Sequence, residues 1–195
     1  MDRFGWRSSL GFRQVAVLVV LAITWTVAYA DDAKLVYYDV AGDSARALRQ
    51  DLNSKGPLDN GKRFDAETLW HVRWKYLYAP AGSGCKFTQM STSLDGTIEF
   101  PRWEHTGFVE GPLRRKWKSY VAALRVHEDG HYAHGVAARQ EIQALGESFQ
   151  IAGSCTTIVK TFNDEAAAIL AKYQAMDLKY DQDTGHGKSQ GAIFP

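Results

Sequence analysis

Leu124-Arg125-Val126-His127-Glu128-Asp129-Gly130-His131 is the stretch around which the chain is organised. Its last five residues read H-E-x-x-H. Trp117, Tyr120, Val121, Leu124, Ala137 and Ile142 recur around it at helical spacing, which predicts a long helix opening at Gly111-Pro112 and ending near Gly146. On a helix His127 and His131 leave from one face, one turn apart. That spacing lets two ring nitrogens hold one zinc ion, with Glu128 in reach of a water on the same metal. Glycine inside a helix costs about 1 kcal/mol relative to alanine. A chain accepts that cost where a neighbouring element or a ligand comes close, so Gly130 predicts tight packing at the centre of the helix.

A catalytic zinc takes three protein ligands and a water, so a third ligand is required. His134 shares the helix face, but seven residues span about 10 Å of axis while zinc–nitrogen bonds are about 2 Å. It is therefore read as a support for a ligand, or as polar packing. The longer pattern with a third histidine six positions on fails, because Ala137 stands there. The remaining candidates are C-terminal. His186 ranks first, in a glycine-flanked loop free to fold back over the pair. Glu165 on a second helix ranks next, then Asp181 and Asp183. Asp181 also suits as an acceptor for a ligating imidazole. Tyr180 is read as a donor to the oxyanion of hydrolysis, or as a packing residue at a helix end.

Upstream, Lys34 to Val40 is rich in strand formers. Gly42-Asp43-Ser44 gives a turn and an N-cap for a short helix, Ala45 to Asn53, which Lys55-Gly56-Pro57 ends. Leu58 to Phe64 reads as a polar loop. From Leu69 to Tyr78 the period becomes two: Trp70, Val72, Trp74, Tyr76 and Tyr78 on one face, His71, Arg73 and Lys75 on the other. This predicts a half-buried strand with His71 solvated. A turn at Pro80 to Gly84 leads into a second alternating run, Cys85 to Leu94, as an antiparallel hairpin. Asp95-Gly96 reads as another turn or a bulge, followed by a strand from Thr97 to Phe100. Trp103 to Gly111, with Glu104 and His105, reads as irregular. Arg114, Arg115, Lys116 and Lys118 oppose the dipole of the long helix, so packing or charge partners must offset them. A second helix runs from Cys155 to about Asp177, with a stripe of Ile158, Phe162, Ala166, Ile169, Leu170 and Tyr173.

Residues 1–30 read as a secretory signal peptide: Arg3, Arg7 and Arg13, an apolar run from Val15 to Val27, then Ala28-Tyr29-Ala30. Lysine and arginine exceed aspartate and glutamate by one over the whole chain, 23 against 22. The presequence holds three of the former and one of the latter, so residues 31–195 are predicted to form a single domain of net charge −1. That balance gives no support for nucleic-acid binding, and neither a nucleic acid nor a membrane is expected as a partner after cleavage. Cys85 and Cys155 are the only cysteines, and in an exported protein they predict one disulfide.

Trp70-His71-Val72-Arg73-Trp74-Lys75-Tyr76, Pro101-Arg102-Trp103, Leu124 to His131, and Tyr180-Asp181-x-x-Thr184-Gly185-His186-Gly187 together resemble a bacterial family known as domain of unknown function number nine hundred and twenty-two, described as secreted zinc-dependent proteases. The resemblance covers nearly the whole mature chain. It implies a zincin-like metallopeptidase, and the histidine of its last block supports His186.

These readings give an α+β fold: an antiparallel sheet packed on a long zincin-type active-site helix, followed by a second C-terminal helix. The expected protein is secreted or periplasmic and binds Zn²⁺ through His127, His131 and His186. Glu128 would act as general base on the zinc-bound water and Tyr180 would assist, on a peptide or protein substrate. The alternative expectation is a zinc-containing binding or structural module without turnover, which Asp181 or Asp183 near the metal would favour.

Overall fold

Alternating apolar residues form a sheet when a second run of the same period can cover one face, and two such runs lie side by side here. The computed structural model describes residues 32–105 and 111–194; the signal peptide expected at residues 1–30 lies outside them. In chain order the elements are β1 (Lys34–Ala41), α1 (Ala45–Lys55), β2 (Leu58–Asp59), β3 (Lys62–Arg63), β4 (Glu67–Ala81), β5 (Gly84–Glu104), α2 (Gly111–Ser148), β6 (Gln150–Ala152) and α3 (Cys155–Thr184), with a 3-10 turn at Lys188–Gln190.

β4 pairs antiparallel with β5 along its whole length, from Glu67 opposite Glu99 to Ala81 opposite Gly84. Trp70, Val72, Trp74 and Tyr76 are half-buried, and His71, Arg73 and Lys75 are exposed. Four expectations are corrected. Tyr78 lies on the exposed side, because the register shifts between Leu77 and Tyr78 and a shift of one residue exchanges the faces. Asp95-Gly96 is neither turn nor bulge: both residues stay in the ladder, opposite His71 and Trp70. Gly96 is there for space, since a Cβ would stand 2.2 Å from the ring of Tyr132 on α2. The sheet is mixed rather than antiparallel. β1 lies parallel to the second half of β5, Lys34 opposite Thr97 through Ala41 opposite Glu104. Parallel neighbours need a crossover, which α1 and the intervening strands supply. Near the hairpin turn, β6 pairs antiparallel with Gly84 to Lys86. Leu58 to Phe64 holds the small β2–β3 hairpin instead of a plain loop.

Helix α2 has 38 residues, about 57 Å of axis, and serves two apolar clusters. Its first half packs Tyr120 and Leu124 with Val40, Leu48, Leu52, Ile98, Phe100 and the tail residue Phe194. Its second half packs Ile142 with Phe87, Phe149, Ile158 and Phe162. Arg114, Arg115, Lys116 and Lys118 are exposed and the first turn carries no acid. Packing of Trp117 against Trp103 and Phe194 holds that end instead. Cys85 and Cys155 form a disulfide joining the start of β5 to the start of α3, with Cα atoms 5.1 Å apart. Among the described residues no helix is long and apolar enough to cross a membrane.

Candidate metal centre

Helix α3 runs back along α2 in the opposite direction. Lys172 and Tyr173 meet Glu141, Asp177 meets His134, and Asp181 meets His127. The inner stripe of α3 begins as Ile158, Phe162 and Ala166 and ends as Asp177, Tyr180, Asp181 and Thr184. It turns polar where it passes the histidines. The helix continues one to two turns beyond its expected end at Asp177, to a C-cap at Gly185 with φ 60°. Gly130 faces Tyr180: a Cβ there would be 2.4 Å from the tyrosine hydroxyl. The tight packing read from that glycine is therefore against an aromatic ring of α3.

Three ligand-type atoms converge. His127 Nε2 and His131 Nε2 are 3.3 Å apart, and Asp181 Oδ1 lies 3.1 and 3.2 Å from them. The opposite ring nitrogens are also engaged. His131 Nδ1 is 3.0 Å from Asp177 Oδ1, and His127 Nδ1 is 3.0 Å from Gln190 Oε1. A carboxylate only accepts, so Asp177 suits a His131 with its proton on Nδ1, and an amide oxygen suits the same state of His127. Neutral rings in that state turn lone pairs toward each other and toward Asp181. Three acceptors in one small space need a positive charge between them. A tetrahedral ion with bonds of 2.0–2.1 Å would keep its ligand atoms about 3.3 Å apart. The three separations match that spacing, so the residues fit zinc. Without a metal, a proton fills the need. Burial pulls the His131 pKa down, but bonding to Asp177 and Asp181 outweighs it and raises the value to about 9. Burial raises the pKa of Asp181, and the imidazoles of His127, His131 and His186 more than reverse this, holding the carboxyl well below its usual range.

Asp177 is the anchor behind the pair. Its Oδ1 takes His131 and also His134 Nδ1, at 2.6 Å, while Trp70 Nε1 donates to Oδ2 at 2.9 Å. Glu128 is 4% exposed, and Thr68 of β4 donates its hydroxyl to Oε2 at 2.7 Å. Burial pushes the Glu128 pKa up, with Thr68 and the two imidazoles opposing. His127, Glu128, His131 and Asp181 all border a cavity of about 460 Å³ that extends to Phe64, Thr68 and Lys188.

His186 is not in the convergent trio. Its ring lies against Phe64, and its Nδ1 is 3.1 Å from Asp181 Oδ1. Tyr180 stacks on His127, with centroids 5.0 Å apart, and its hydroxyl accepts from Gln190 Nε2 at 2.7 Å. Glu165 is exposed on α3, about 24 Å of helix axis before Asp181. Asp183 pairs with Lys179. His134 meets Asp177, and groups with it and His131 but not with His127; His71 is on the outer face of the sheet, and His105 packs on Trp103. Sequence reasoning missed Asp177, Gln190, Thr68 and the indole of Trp70. Asp177 and Asp181 had a signal: two carboxylates four apart, matching His127 and His131 in spacing, once α3 is continued.

The family model described as bacterial protein of unknown function (DUF922) matches residues 35–187. No curated protein and no solved structure matches the chain. The chain belongs to that bacterial family.

Proposed function

We propose that this member of the family is a zinc-dependent peptide hydrolase of an oxidising compartment, with His127, His131 and Asp181 holding the metal and Glu128 carrying the proton. The observation that carries the reading is the trio of ligand-type atoms, each 3.1 to 3.3 Å from the others and open to a cavity. This departs from the sequence expectation at the third ligand: His186 braces Asp181 in place of joining the pair. Zinc at that position would supply Lewis acidity toward a substrate carbonyl.

The protein's own groups account for the remainder. Glu128 takes the proton of an attacking water and returns it to the leaving amine, and its burial, by disfavouring the charged carboxylate, strengthens it as the base of the first half of that exchange. Thr68 holds the carboxylate in one orientation. Asp177 and Trp70 keep the His131 ring from rotating. Tyr180, stacked on His127, fixes the other ring. β4 is an edge strand of the sheet next to the cavity, and its outer edge, which pairs with no strand among the described residues, suits an extended peptide laid beside Glu67 to Leu69. The Cys85–Cys155 disulfide supports an oxidising location.

The test is Glu128→Gln. Zinc content should match the unaltered protein while cleavage of a peptide library falls by at least about a hundredfold. Cleavage by metal-free protein would sink the reading. A second reading, a metal module without turnover, has one observation in its favour: Asp181 is packed among three imidazoles, as in a closed structural site. Zinc-loaded protein that cleaves nothing in the library would select it.

A further inference from the structure

We propose that Gln190 is a positioning residue of the centre: its amide selects the tautomer of His127 that turns a lone pair on Nε2 toward His131 and Asp181. Its purpose rests on the metal reading above; its geometry does not. A neutral imidazole carries one proton, and the neighbour of one nitrogen decides the state of the other. For His131 the neighbour of Nδ1 is the Asp177 carboxylate, which can only accept. For His127 it is an amide, which can present an acceptor or a donor.

In the structure the oxygen end is the one presented. Gln190 Nε2 donates to the Tyr180 hydroxyl, at 2.7 Å, and this leaves Oε1 for His127 Nδ1, at 3.0 Å. Tyr180 is fixed in turn, stacked on His127 and seated on Gly130. The backbone brings Gln190 to this place. Gly185, His186 and Gly187 all have positive φ, at 60°, 54° and 77°, and reverse the chain off the end of α3. His186 is a side chain held in a region that favours glycine, so the anchored residues after it must enforce the reversal. Ala192 N–H closes the loop on Gly187 O at 3.0 Å, and Phe194 is buried against Trp117 and Tyr120. The last ten described residues thus form a clasp, anchored in the first apolar cluster, whose middle residue holds a ring of the centre.

Two variants test it. Gln190→Leu keeps the bulk and removes both polar ends; Gln190→Glu keeps only an acceptor. Zinc affinity is read by competition with a chromophoric chelator. The His127 tautomer is read by nitrogen-15 NMR of zinc-free protein, at a pH where both rings are neutral. We expect Gln190→Leu to weaken zinc binding about 10–100-fold and Gln190→Glu to stay within about threefold of the unaltered protein. The His127 signal should report Nδ1–H in the unaltered protein and shift toward Nε2–H in Gln190→Leu. An unchanged affinity or tautomer in Gln190→Leu, or equal loss in both variants, overturns the proposal. If the unaltered protein binds no zinc, the metal reading fails, and the NMR arm still decides the role of Gln190.

Discussion

Burial alone would strip the proton from His131, and two carboxylates keep it there. The folded pKa of about 9 lies above the ordinary value of 6.5. The ring therefore adds stability that is complete below about pH 6.5 and is lost as pH rises through 9. We expect urea unfolding of metal-free protein to lose roughly 3 kcal/mol between those limits, and the loss to vanish in His131→Gln. A flat profile in the unaltered protein would contradict this. Because metal and proton compete for the same nitrogen, zinc affinity should rise over the same window. At Gly130 the constraint is steric. A Cβ would stand 2.4 Å from the Tyr180 hydroxyl, so Gly130→Ala must displace a ring that contacts both histidines. Thermal unfolding should show about 1–3 kcal/mol of destabilisation. An increase in stability, as helix propensity alone would give, would mean that the ring moves freely.

Among the elements, β4 does more than complete the sheet, since Thr68 lies on its inner face and bonds to Glu128. That bond favours the ionised carboxylate, so Thr68→Val should raise the Glu128 pKa further. A carbon-13 NMR titration of the carboxyl in metal-free protein should show the upward shift; a downward shift would mean that the hydroxyl does not favour the charged form. The strand was legible because Trp70, Val72, Trp74 and Tyr76 alternate, and α2 because its apolar residues recur every three or four positions. The end of α3 was not, because its stripe stays on the same face but changes from apolar to acidic after Tyr173, and periodicity methods follow only the apolar part. That single misplacement hid Asp177 and left Asp181 in a tail instead of on a helix facing His127. The parallel course of β1 was hidden for another reason: a strand's own pattern shows which face is buried, not which edge it will join.

At the level of the whole molecule, the disulfide closes 70 residues of sequence between Cys85 and Cys155. On loop entropy alone it should contribute about 4 kcal/mol, and Cys85→Ser with Cys155→Ser should lose most of that in urea unfolding. A loss under about 1 kcal/mol would show that native contacts already restrain the unfolded chain. The long reach of α2 has a further effect. Tyr120 and Leu124 border one apolar cluster and Ile142 the other, so neither can open without fraying the same rod. Backbone amides from His127 to His131 should then be among the slowest to exchange with deuterated solvent, at the rate of global opening. By mass action, any ion gripped there would slow exchange in both halves alike, so that one point of attachment acts as a brake on the entire fold.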